Sequence, residues 1–105
     1  IYNSIEIIYG VGRMLNEKIK ELRKAKRVSQ VEMASALGLT KQCVSNWEND
    51  NIQPSIEMLV KIADYFGVTT DYLLCRSETD VINVEGLTPV EISHIRDIVA
   101  DLRNR

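Results

Sequence analysis

The stretch GLTKQCVSNWENDNIQPS, Gly38–Ser55, contains the signals that decide the expected fold. It predicts a short helix from Lys41 to about Asn49 that follows a glycine turn and ends in an Asp-Asn turn. Val44 and Trp47 lie three residues apart and are expected to face the core. The helical period then directs four hydrogen-bonding side chains outward. These are Lys41, Gln42, Ser45 and Asn46.

Two helices are expected before this stretch. Apolar residues recur at helical spacing from Leu15 and predict a first helix at about 15–26. Ser29 and Glu32 form a capping box that predicts the start of a second helix at Gln30. This second helix is expected to stop at Gly38, because glycine tolerates a left-handed conformation. Thr40 is the expected N-cap of the third helix.

Two further helices are expected after it. Ser55 precedes a fourth helix that Gly67 closes, and Thr69 caps a short fifth helix. The expected buried stripe of the fourth helix consists of Ile56, Leu59, Ile62, Ala63 and Phe66. Five short helices predict a compact all-α domain over residues 14–76.

The flanking segments are expected to differ from this domain. Residues 1–13 alternate apolar and polar side chains, which predicts a strand or extended N-terminal arm, or an extension added upstream of Met14. Residues 77–87 form a polar linker, and residues 88–105 contain a last helix. Its apolar residues, spaced three and four apart, favour a homodimer contact; packing back on its own domain is the alternative. They are Ile92, Ile95, Val99 and Leu102.

Composition favours a cytoplasmic protein without a membrane span. Of the 105 residues 45% are apolar, and the net charge is −2. Residues 13–76 nevertheless carry ten basic and eight acidic side chains, with the densest basic run between Lys18 and Arg27. Cys43 and Cys75 lack metal-ligand spacing, and His94 has no expected acid or nucleophile partner. We therefore expect no metal, no cofactor and no enzymatic activity. The two thiols are expected to be inert, and redox sensing by Cys43 is the alternative.

The second and third predicted helices are joined by only three residues, residues 38–40, the length typical of a helix-turn-helix. Small or apolar residues occupy the places that such a motif buries, namely Met33, Ala34, Leu37, Leu39, Val44 and Trp47. A helix presented in this way can enter the major groove of DNA. There Lys suits guanine O6 and N7, and Gln or Asn can bind adenine N6 and N7. We expect Lys41, Gln42, Ser45 and Asn46 to read bases; a polar solvated face is the alternative.

Residues 15–74 resemble the Cro and phage-repressor type of helix-turn-helix regulators, also called the xenobiotic-response-element family. The pieces SNWEN, PSIEMLVKIA and GVTTDYLL carry the resemblance. It implies an all-α, five-helix repressor-like DNA-binding domain, followed here by the expected dimerisation helix. It also implies that Gln30 holds a phosphate and can brace the first base-reading side chain, and that Asn49 contacts the DNA backbone. A buried ion pair between Arg23 and Glu48 is implied as well.

The expected function is therefore sequence-specific binding of double-stranded DNA by a transcriptional regulator, a repressor acting as a homodimer on a palindromic operator. The alternative is a protein-interaction module or antitoxin that uses the same fold to bind a partner protein. Asp50 departs from the glycine that this family usually has after the recognition helix.

Overall fold

The computed structural model describes the backbone of residues 4–105 and the side chains from Leu15 onward. Within that part of the chain all regular elements are helices. They are α1 (Ser4–Lys26), α2 (Gln30–Leu37), α3 (Lys41–Glu48), α4 (Ile56–Phe66), α5 (Thr70–Leu73) and α6 (Pro89–Arg103). The predicted all-α class is confirmed.

The first helix begins earlier than predicted. α1 starts at Ser4, so the strand or extended arm expected for residues 1–13 is wrong for residues 4–13, and residues 1–3 lie outside the described residues. Ile8 and Tyr9 follow Ile5 by three and four residues, a helical pattern that the alternation of neighbouring residues obscured. The glycines of this segment cost a helix about 1 kcal/mol each, which does not end it.

Helix ends follow the predicted capping chemistry, with one exception. Ser29 Oγ accepts the Glu32 backbone N–H at 3.0 Å, and the Glu32 carboxylate accepts the Ser29 N–H at 3.1 Å. Gly38 ends α2 with φ of 71°. Thr40 occupies the N-cap position of α3, but its hydroxyl makes no cap bond and donates instead to Cys43 Sγ at 3.5 Å.

The core lies where the first five helices meet. Its buried apolar residues are Leu15, Ile19, Met33, Ala34, Val44, Trp47, Ile62, Ala63 and Leu73. The inward orientation predicted for Val44 and Trp47 is thus confirmed. Ile56 was expected in the buried stripe of α4 but is 81% exposed, because it is the first residue of the helix, and Met58 packs against the core instead.

The last helix lies apart from this core. α6 has no buried residue, although its N-terminus has the predicted capping box of Thr88 and Glu91. Ile98 and Leu102 are exposed, at 59% and 55%. Across residues 4–105 the helices are either too short or too polar to cross a bilayer.

Candidate nucleic-acid interface

The turn between α2 and α3 fixes the direction of α3. The Gly38 N–H donates to Ser35 O at 3.1 Å, and the Leu39 N–H donates to Ala34 O at 2.8 Å. Leu39 is half-buried against the core, so the turn is anchored by its backbone and by a side chain. Since Val44 and Trp47 face inward, the opposite face of α3 faces solvent. Lys41 and Gln42 are exposed there, and Ser45 and Asn46 are half-buried.

A buried carboxylate joins α3 to the helices behind it. Glu48 is 4% exposed, and its Oε2 accepts from Arg23 Nε at 2.6 Å. Its Oε1 accepts from Arg23 Nη2 and from Gln30 Nε2, both at 3.1 Å. The ion pair implied by the family resemblance is therefore present. The hydrogen bond to Glu48 raises the pKa of Arg23, so the guanidinium stays charged.

Two further contacts complete this connection. Arg23 Nη1 donates to Val28 O at 2.9 Å, which ties the guanidinium to the segment between α1 and α2. Asn16 Nδ2 donates to the backbone carbonyl of Glu48 at 2.8 Å, so α1 also holds the C-terminal end of α3. Sequence reasoning missed Asn16, because a side-chain bond to a distant backbone carbonyl leaves no pattern in the sequence.

Gln30 and Gln42 donate to different partners. The Gln30 amide donates to Glu48, whereas the exposed Gln42 amide donates to Asn46 Oδ1 at 2.9 Å. The structure thus pairs Gln42 with a residue of its own helix. The pair has the i,i+4 spacing at which helical side chains meet, a signal that the sequence contained.

The end of α3 explains why Asp50 stands where glycine is usual. Asp50 has φ of 57°, in the left-handed region. Its N–H donates to Trp47 O at 3.3 Å, and the Asn51 N–H donates to Asn46 O at 2.9 Å. This is the two-bond helix ending that requires a left-handed residue, and Asp tolerates it better than most side chains. Just before it, Asn49 Nδ2 donates to Ser45 Oγ at 3.2 Å.

The basic run on α1 is only partly available to a ligand. Lys18 Nζ lies 4.4 Å from the centre of the Tyr72 ring, and Lys26 Nζ lies 4.5 Å from that of Tyr65. Both ammonium groups are thus directed at aromatic rings. Among the residues from Leu15 onward, no group of His, Cys, Asp or Glu side chains is arranged to hold a metal ion.

An α3 held from behind by buried side chains, with a polar outer face and a three-residue turn before it, defines a helix-turn-helix protein. The helix-turn-helix family model HTH_3 matches residues 19–73, just over half of the chain, and the chain belongs to this family. The resemblance stated from the sequence is therefore confirmed.

Relatives with curated names match the same region. The SPbeta prophage-derived uncharacterized HTH-type transcriptional regulator YonR of Bacillus subtilis strain 168 is 38% identical over 61 residues, 58% of this chain and 56% of YonR. The HTH-type transcriptional activator BcrR of Enterococcus faecalis is 36% identical over 63 residues, 60% of this chain and 31% of BcrR. The cryptic phage CTXphi transcriptional repressor RstR of Vibrio cholerae is 31% identical over 68 residues, 65% of this chain and 61% of RstR. The chain thus spans between about a third and three fifths of the length of these relatives.

Proposed function

We propose that the chain is a transcriptional regulator that binds double-stranded DNA in a sequence-specific manner, as a homodimer on a palindromic operator. The observation that carries this proposal is the outer face of α3. Four side chains with donors or acceptors for base edges stand there on a helix fixed by the buried Glu48 and by the turn at Gly38. A rigid helix with such a face is what readout in the major groove requires.

The residues of the proposed interface form two groups, one that reads bases and one that contacts phosphates. The base-reading residues are Lys41, Gln42, Ser45 and Asn46. Gln30, at the start of α2, and Asn49, just past the end of α3, are the phosphate contacts that the family resemblance implies. Phosphate contacts set affinity for all sequences, whereas base contacts distinguish among them.

Selection of binding sites from random duplexes with the purified chain tests this function. A palindromic motif is expected. Gln42→Ala should then cost about 1–3 kcal/mol of binding free energy on the selected site and relax one base position. Gln30→Ala should weaken all duplexes alike. If no motif emerges and association does not depend on salt, the fold serves instead as a protein-interaction module or antitoxin.

For the direction of regulation we propose repression by occupation of a promoter. RstR is named a repressor and BcrR an activator, so relatives of both kinds match the chain. Transcription in vitro from a promoter that contains the selected motif distinguishes the two. Repression predicts that transcript falls as the chain is added, in step with occupancy of the motif. A rise in transcript would refute repression while leaving DNA binding intact.

For the homodimer we propose that α6 forms the contact. Its apolar residues are half-buried or exposed, and none finds full burial on its own domain. Dimerisation would cover them and set two α3 helices about 34 Å apart on successive major grooves. Sedimentation should give a dimer for the wild-type chain and a monomer for the variant Ile95→Asp, Val99→Asp. Ser93→Asp, on the exposed face of α6, is the matched control; an unchanged mass for the double variant would defeat the proposal.

A further inference from the structure

Gln42 and Asn46 lie one turn apart on the outer face of α3, and their side-chain amides are joined. Gln42 Nε2 donates to Asn46 Oδ1 at 2.9 Å. The backbone of Asn46 is fixed as well, because its carbonyl accepts N–H groups from Asn51 at 2.9 Å and Ile52 at 3.3 Å. The backbone of Asn46 is therefore held in place, and the hydrogen bond to its side chain orients the exposed Gln42 side chain.

The hydrogen bond determines which groups each amide can offer to a base. An amide has one carbonyl oxygen and two N–H hydrogens. Gln42 uses one hydrogen on Asn46 and keeps its oxygen and the other hydrogen, the combination that pairs with adenine N6 and N7. Gln42 engages one of the two lone pairs on the Asn46 oxygen. Both of its hydrogens remain without a protein partner in the described part of the chain.

We propose that Gln42 and Asn46 read DNA as one unit, with Asn46 as the positioning residue that holds Gln42 for adenine. This inference rests on the proposed function. Asn46 itself has two unengaged hydrogens against one remaining lone pair, so it favours an adjacent base pair whose acceptors face it, guanine O6 and N7 or thymine O4. The half-site thus contains an adenine next to a guanine or thymine, and the preference for adenine depends on the residue at position 46.

Three variants test this coupling, with preferences measured by sequencing the duplexes that each selects from a random pool. Gln42→Ala identifies the base pair that Gln42 reads. Asn46→Ala removes the oxygen that holds Gln42, whereas Asn46→Asp keeps that oxygen and loses the amide hydrogens. The added charge of Asp weakens binding to all sequences, and its carboxylate can accept from cytosine at the pair that position 46 faces, so the comparison uses the base ratio at the Gln42 position. Glu57→Gln changes an exposed side chain of α4 outside the proposed interface and is the control.

The expected results differ among the variants. Asn46→Ala should lower the preference for adenine at the Gln42 position by about threefold or more. The effects of substitutions within one hydrogen-bond network are coupled, so a change at position 46 alters the contribution of Gln42. Asn46→Asp should keep that preference within about twofold while losing the guanine or thymine preference at the adjacent pair. Glu57→Gln should keep both preferences. Melting temperatures near that of the wild type show that each variant is folded.

Several results would overturn the inference. One is an unchanged adenine preference in Asn46→Ala, which would mean that the two residues read bases independently. Another is a Gln42 position that does not favour adenine, or a preference for adenine or cytosine in front of Asn46. These outcomes leave the proposed function standing, since a motif is still selected. If the wild-type chain selects no motif, the proposed function fails and this inference fails with it.

Discussion

The replacement of Glu48 by Gln is expected to destabilise the whole domain, although it only exchanges one carboxylate oxygen for an NH2 group of similar size. The Glu48 side chain is 1% exposed and that of Arg23 is 12% exposed, so the pair is largely removed from water. Arg23 does not lose its proton in proteins, and its hydrogen bond to Glu48 raises its pKa further. The variant would therefore leave a mostly buried cation opposite a neutral amide.

The size of the effect follows from the hydrogen bonds that an amide at position 48 cannot make. Removing one partner of a buried ion pair costs about 3–5 kcal/mol. Gln keeps one carbonyl oxygen, which can still accept from Arg23 Nε, but its amide nitrogen cannot accept from Arg23 or from Gln30. We expect a loss near the lower limit, about 3 kcal/mol of the free energy of unfolding. Small domains have about 5–15 kcal/mol in total, so the variant should still fold.

Urea unfolding followed by far-UV circular dichroism measures this loss of stability. The midpoint should fall with an unchanged slope, since the area exposed on unfolding stays the same. Glu57→Gln is the matched control, because Glu57 forms only an exposed pair with Lys61 at 3.9 Å. That change should cost less than about 1 kcal/mol.

A second variant separates the effect of the broken pair from that of the buried charge left behind. Replacing both Arg23 and Glu48 by Met removes the stranded cation, so it should be more stable than Glu48→Gln alone. The reasoning is refuted if Glu48→Gln lies within about 1 kcal/mol of the wild type, or if the double variant is the less stable of the two.

Three further predictions concern the ends of helices and the thiols. Asp50→Gly should stabilise the domain by about 0.5–1 kcal/mol by relieving the left-handed φ, whereas Asp50→Asn should leave urea unfolding unchanged and raise DNA affinity in fluorescence anisotropy by removing a charge. The backbone hydrogen bond from Thr88 lowers the pKa of Glu91 below its ordinary value of 4.5. The stabilisation of α6 by Glu91 is therefore present above that pH and is lost as the pH falls through the lowered pKa. Circular dichroism during acid titration should show this loss of helix, and the Glu91→Gln variant should not show it. Bound duplex should slow maleimide labelling of Cys43, which lies on α3, but not of Cys75; equal slowing of both thiols would contradict the proposed interface.

Local signals were sufficient for most of the fold because they act within a few residues. The capping box of Ser29 and Glu32, the left-handed Gly38 and the buried Val44 and Trp47 each depend on neighbours in sequence. The start of α1 was predicted wrongly because local signals conflict there. Residues 4–13 contain both a two-residue apolar spacing, typical of a strand, and a three-to-four-residue spacing, typical of a helix. In so short a segment the two spacings cannot be distinguished from the sequence, because contacts with the rest of the protein determine which structure forms.

The site was harder to predict because its side-chain partners come from different helices. The pair of Arg23 and Glu48 followed only from the family resemblance, and no sequence signal predicted the hydrogen bond from Gln30 to Glu48. Gln30 lies at the first position of α2, and its amide donates to Glu48 at the buried end of α3. This contact depends on where Arg23 holds the Glu48 carboxylate, which is a property of the packed helices.

Glu48 therefore links the stability of the domain to the proposed phosphate contact. Its Oε1 accepts from both Arg23 and Gln30, so the group that holds α3 against α1 also orients the Gln30 amide. In Glu48→Gln, binding should fall by more than the unfolded fraction accounts for, even where circular dichroism shows a fully folded domain. Gln30→Ala should remove most of that excess effect, since both changes then act through one contact. If the two effects on binding add independently, Glu48 stabilises the fold without orienting Gln30.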